Sequence, residues 1–126
     1  MAVRQRNLDA LHSVSMFPPA TVDDDAAATA VDLSDFDGDA LLVLEAAASV
    51  AGSVKVKVQA GDLADGSDAE DIEGAVFEPL DDSVSHQRLR IQKDDLPHYV
   101  RLVFFDRAGA YDAVVSCAAV GLKNRR

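Results

Sequence analysis

The 126-residue sequence has no tryptophan, one cysteine, two tyrosines and five phenylalanines. Aromatics amount to 6 %, too few for the stacking platforms on which proteins hold sugars or single-stranded nucleic acid. A lone Cys117 can form neither an internal disulfide nor a cysteine-rich zinc site, which points to folding in a reducing compartment and to synthesis in the cytoplasm. Basic residues are also scarce. Twelve Lys and Arg against 22 Asp and Glu leave a net charge of −10, the wrong sign for a surface that must neutralise phosphates, so no nucleic-acid partner is expected. The longest apolar stretch, Ala40 to Leu44 continued by Ala46 to Ala48 after Glu45, falls far short of the ~20 residues that cross a bilayer. Arg4 and Arg6 near the start have no apolar run behind them, so neither a secretory signal nor a membrane partner is expected.

Catalytic signatures are missing too. There is no glycine-rich phosphate loop, no Gly-x-Ser-x-Gly elbow, no His-Glu-x-x-His and no Cys-x-x-Cys, and His12, His86 and His98 stand apart from one another without a motif around any of them. A binding or structural module without cofactor is the expectation, rather than an enzyme. Cys117 lies in a run of small apolar residues with no basic neighbour to lower its pKa, and so reads as a buried small hydrophobe.

What is present is a globular balance, 48 % hydrophobic and 27 % charged, in a 13.4 kDa chain. That size suits a single domain over residues 1–126, with an N-terminal arm over 1–8 and a C-terminal tail over 122–126. Charge is distributed unevenly. Residues 23–82 hold two lysines and seventeen acids, whereas residues 83–126 hold eight bases and four acids. The outcome is an acidic body with basic ends: Arg4 and Arg6 at one, Lys123, Arg125 and Arg126 at the other. Such arms could reach acidic surfaces on neighbouring subunits, or simply be solvated tails.

Period-2 alternation dominates the middle of the chain. Val54, Val56 and Val58 alternate with Lys55, Lys57 and Gln59, and Leu89 and Ile91 alternate with Arg88, Arg90 and Gln92. Both are half-buried strands. From His98 to Phe105, Val100, Leu102 and Phe104 take the core face, leaving Tyr99, Arg101, Val103 and Phe105 on an opposite face apolar enough to meet either a loop of the same chain or a neighbouring subunit. The run Ala113–Val120, small and β-branched on both faces, predicts a central strand covered on both sides. Weaker strands are expected near 11–17, 28–33, 41–48 and 72–77, with turns at Pro18-Pro19, Asp37-Gly38-Asp39, Ala51-Gly52-Ser53, Asp65-Gly66-Ser67 and Arg107-Ala108-Gly109. Alanines over 40–50 also allow a helix, but Gly38, Gly52 and the Leu41-Leu42-Val43-Leu44 run favour a strand. About eight short strands with regular punctuation predict an all-β fold, a single antiparallel β-sandwich of jelly-roll type. The acidic loop from Asp62 to Asp71 offers Asp62, Asp65, Asp68 and Asp71 as a weak calcium candidate, without the residue order of an EF-hand; a solvated loop connecting two strands accounts for it as well.

The succession Thr29-Ala30-Val31-Asp32-Leu33-Ser34-Asp35-Phe36-Asp37, Leu41-Leu42-Val43-Leu44, Gly52-Ser53-Val54-Lys55-Val56-Lys57-Val58-Gln59, His98-Tyr99-Val100-Arg101-Leu102 and Val114-Val115-Ser116 resembles small virion structural proteins of tailed bacteriophages, over roughly Ala28 to Val120. The resemblance implies a capsid decoration or cement protein, or the base of a head spike. It would be a homo-oligomer, trimer or pentamer, bound to the major capsid protein on the outer head surface of the virion. A tail-tube or head–tail joining component and a host-glycan-binding module are the alternatives. On that reading Arg4, Arg6, Lys123, Arg125 and Arg126 anchor the tails, and Tyr99, Arg101, Val103 and Phe105 make a subunit contact.

Overall fold

A computed structural model describes residues 11–92 and 96–123, and it turns the alternating stretches into strands. They are β1 (Leu11–Val22), β2 (Ala26–Ala27), β3 (Val31–Asp32), β4 (Phe36–Ala46), β5 (Ser53–Gly61), β6 (Glu70–Val76), β7 (Ser85–Ile91), β8 (Tyr99–Ala108) and β9 (Ala113–Lys123). No helix forms among the described residues, and the alanine-rich 40–46 segment is strand, because each second residue (Ala40, Leu42, Leu44, Ala46) is needed by the core.

The strands make two antiparallel sheets, ordered β1-β9-β4-β7 and β2-β8-β5-β6, with β3 also on β8. Ala26 and Ala27 pair with Phe104 and Val103, and Val31 and Asp32 with Val100 and Tyr99, so β2 and β3 are one interrupted strand beside β8. Of the strand expected over 28–33 only Val31–Asp32 forms, with β2 lying before that range, and nine segments occupy eight strand places. Pairing is nested: β1 with β9, β2 and β3 with β8, β4 with β7, β5 with β6. This is a long hairpin rolled up on itself, the jelly roll of two Greek keys. The β4–β9 and β8–β5 pairs close the roll.

Further local expectations are corrected. Asp37-Gly38-Asp39 does not turn the chain but lies within β4, where the register against β9 shifts between Asp37 and Ala40. Pro18-Pro19 does not turn the chain; both prolines lie within β1, whose register against β9 shifts between Ser15 and Phe17 and again between Phe17 and Ala20. β1 is at the edge of its sheet, where proline's missing N–H and a bulge are tolerated. β9 does occupy a central place, between β1 and β4, but only one of its faces is covered: Ala113, Val115, Cys117 and Ala119 are buried, while Val114 is 50 % exposed.

Both inner faces meet in one core. β4 and β9 contribute Leu42, Leu44, Val115 and Cys117 from one sheet, β5 and β8 contribute Val56, Val58, Leu102 and Phe104 from the other, and Leu33, Phe36, Leu80 and Tyr111 fill the ends. Valine and alanine dominate the strand positions, which suits a pleated, closely packed sandwich. Ser49 ties one end together. Its hydroxyl donates to the Ala51 carbonyl at 2.7 Å and accepts from the Asp112 N–H at 2.9 Å, and its own N–H donates to the Asp81 carbonyl at 3.1 Å. Beside it Gly52 adopts φ +81°, and a Cβ there would overlap the Ala108 carbonyl oxygen, so only glycine fits between these turns.

Candidate functional site

The outer faces of the two sheets are the candidate surfaces. The five-stranded sheet carries Tyr99, Arg101, Val103 and Phe105 on its outer face, each half-buried. Cross-strand register brings Arg101 opposite Gln59, Val103 opposite Lys57 and Phe105 opposite Lys55. Polar bonds then knit the face together. Arg101 donates from Nε and Nη2 to Gln59 Oε1 at 3.0 and 2.9 Å. Gln59 Nε2 donates to Asp71 Oδ1 at 2.8 Å, and Lys57 Nζ donates to Asp71 Oδ2 at 3.1 Å. Lys57 Nζ also sits 4.9 Å from the centre of the Phe105 ring, a cation–π contact. Lys55 pairs with Asp106 at 2.9 Å. Hydrogen bonds from Gln59 and Lys57 hold the Asp71 carboxyl below its ordinary value.

The acidic loop between β5 and β6 folds back over this face. Gly66, at φ +74°, lies so close to Arg101 that a Cβ would stand 2.6 Å from its Nη1. The four acids of the loop region are used separately. Asp68 accepts the N–H groups of Asp62 and Leu63 at 2.9 and 3.1 Å, Asp65 accepts the Ser67 N–H at 2.9 Å, and Asp71 lies on β6 in the network above. The Ser67 hydrogen bonds hold the Asp65 carboxyl below its ordinary value. Among the described residues no group of three or more His, Cys, Asp or Glu is gathered for a metal ion.

The four-stranded sheet presents a different outer face. Ser13, Val120, Leu41 and Arg90 lie side by side across β1, β9, β4 and β7, and Ser15, Ala118, Val43 and Arg88 form the next row. Below them Ser116, Glu45 and His86 continue the pattern, with His86 Nδ1 3.0 Å from Glu45 Oε1. In the first two rows the middle columns are therefore apolar, flanked by hydroxyls on one side and by cations on the other. Arg90 Nε approaches Asp39 at 3.5 Å; among the described residues no ion pair engages Arg88. Val114, Val84 and Leu122, respectively 50, 78 and 53 % exposed, extend the apolar character toward the ends of the face. Sequence reasoning placed β9 correctly but not this surface, since only the register shows that Leu41 and Val43 stand beside Val120 and Ala118.

Other candidates are placed as follows. Arg4, Arg6, Arg125 and Arg126 lie outside the described residues; Lys123 closes β9 opposite Phe36. His12 packs edge-on against Phe36 with ring centres 5.1 Å apart, and His98 is exposed, its carbonyl accepting the Leu33 N–H at 2.8 Å. Cys117 is buried in the core, and burial pushes its thiol up to about 12. The Tyr111 ring is fully buried and its hydroxyl has no hydrogen-bond partner among the described residues.

No protein-family model matches the chain, and no curated protein matches it by sequence. Solved structures do share its fold. The crystal structure of the SPBc2 prophage-derived protein YomS is 12 % identical, with a TM-score of 0.51 over 88 % of this chain and 93 % of that one. A chain in the structure of infectious bursal disease virus, Gx strain, is 9 % identical with a TM-score of 0.51, over 92 % of this chain but only 33 % of its own length. At these identities the likeness is one of fold.

Proposed function

We propose that the chain is a structural protein of a virion, a bacteriophage capsid decoration or cement protein bound to the major capsid protein on the outer head surface. The observation that carries the reading is the end-to-end match of the jelly roll to a prophage-derived protein of nearly the same extent, joined by a match to part of a virus structure. Jelly rolls recur as viral shell domains because a closed two-sheet core leaves its outer faces and loops free for lattice contacts. The chemistry of the chain agrees with that role. Its histidines stand at separate places, its cysteine is buried, and apolar side chains of β4 and β9 lie on the outer face of a sheet.

The mechanism is mechanical. A shell gains stability from any subunit that binds the assembled form and not the opened one, because each added interface must be broken before the capsomers separate. The basic ends, Arg4, Arg6, Lys123, Arg125 and Arg126, would hold the acidic body to acidic capsid surfaces, as a homo-oligomer. The test is occupancy on purified heads. The full chain is expected to co-sediment at a fixed ratio to the major capsid protein, and deletion of residues 1–7 or 122–126 to lower that ratio. No binding by the full chain would contradict the virion reading, and unchanged occupancy in both deletions would contradict the anchoring role of the ends.

A further inference from the structure

We propose that the outer face of the four-stranded sheet is where one copy of this chain binds another, face to face. β9 and β4 carry apolar residues on both faces, yet the fold covers only one. Leu41, Val43, Ala118 and Val120 alternate with core residues and point away from them; each is half-buried by its neighbours in the sheet, and among the described residues no strand packs over them. Two-sided apolar strands are the pattern of a buried sheet, and among the described residues nothing supplies the second cover.

Three observations point to a second copy as the cover. The first is charge: each chain carries −10, so two copies repel unless they meet through a part that is not acidic. On this face Arg88 and Arg90 stand against Asp37, Asp39 and Glu45, close to balance, whereas the loop and strand on the other sheet carry Asp62, Asp65, Asp68, Glu70, Asp71 and Glu73. The second is likeness. The other sheet's outer face is committed to its own ion pairs and to the acidic loop, so the apolar face finds its best apolar match in itself, the condition for an isologous contact. Turning one copy about an axis along the strands sets Arg88 of each over the Ser15 edge of the other and keeps arginine from arginine. The third is size. Four strands about 4.8 Å apart and nine residues at about 3.3 Å each make a patch on the order of 500 Å². Two such patches bury about 1,000 Å², the threshold for a specific interface. Small, stiff side chains lose little entropy there and let sheets approach to about 10 Å.

The proposal does not depend on the virion reading. Light scattering after gel filtration of the full chain is expected to give twice the 13.4 kDa mass, or an even multiple of it. Ala118→Glu and Val43→Glu should shift it to the monomer mass, while Val76→Glu on the other sheet should leave it unchanged. Ser15→Arg, at an exposed serine the fold does not use, guards against a folding failure in those two variants: it sets like charge opposite Arg88 and should also dissociate the pair, with circular dichroism unchanged. A monomeric or odd-numbered wild-type protein, or an oligomer whose mass Ser15→Arg and Ala118→Glu leave unchanged, would overturn the proposal. Even-numbered protein that fails to bind heads would refute the virion reading alone.

Discussion

The two sheets differ most on the sides that face away from the core. On the five-stranded sheet Lys57, Gln59, Asp71 and Arg101 bond to one another and a loop lies over them. On the four-stranded sheet Leu41, Val43, Ala118 and Val120 sit in register with nothing of the described chain above them. One face is finished within the monomer, and the other is left open. The contrast teaches how the two faces of a small acidic sandwich can differ: on one the polar groups are engaged with one another, whereas the other is apolar along its middle with charges toward its edge.

Substitutions can break or sharpen that contrast. The largest effect is expected inside. Leu42→Ala, at a fully buried position between Leu41 and Val43, should cost about 3 kcal/mol by loss of apolar burial and by the cavity left behind, whereas Val43→Ala on the outer face should cost less than about 1 kcal/mol in the monomer. Chemical denaturation of both variants checks this, and equal losses would mean that the outer face is packed after all.

Next comes Gly66→Val on the covered face. A β-branched residue at φ +74° is strained, and its Cβ would meet Arg101. A loss of about 2 kcal/mol, or roughly 6–10 °C in melting temperature, is expected without any change in oligomeric mass.

A smaller effect concerns acid. The Asp71 pKa is lowered in the folded chain, so the stability it contributes is complete above its unfolded value near 3.8 and is lost as pH falls through the folded value. Melting temperature of the wild type should therefore fall more steeply below about pH 4 than that of Asp71→Asn. Parallel profiles would show that the Gln59–Asp71–Lys57 bonds carry no stability.

The smallest effect is one of reactivity within a single strand. Cys117 faces the core with its thiol pushed up to about 12 and should resist alkylation at pH 8, whereas Ala118→Cys in a Cys117→Ala background should react readily in dilute protein and slowly in concentrated protein.

Much of this was legible in the residues, and the reasons differ by element. The Val54–Gln59, Arg88–Gln92 and Tyr99–Phe105 alternations announce strands because every second residue of each turns toward the core. Ala113–Val120 announces a strand equally well, but a two-sided apolar pattern cannot say whether the second cover comes from the same chain. Pro18-Pro19 looks like a turn because proline in a central strand breaks the ladder; at an edge strand with shifted register it does not. Arg101 appears as an outward residue in the sequence, yet its partner Gln59 is 42 positions away, and no local pattern carries that pairing. The bare face is hidden for the same reason, since Leu41 meets Val120, and Val43 meets Ala118, only through sheet register.

Hydroxyl-radical footprinting of the full chain at high and low concentration tests the contrast between the two faces most directly. Leu41, Val43 and Val120 are expected to be labelled less in concentrated protein than in dilute protein, while Val76, Tyr99 and Phe105 are labelled equally in both. Equal labelling of all six at both concentrations, or protection confined to Tyr99 and Phe105, would contradict the account.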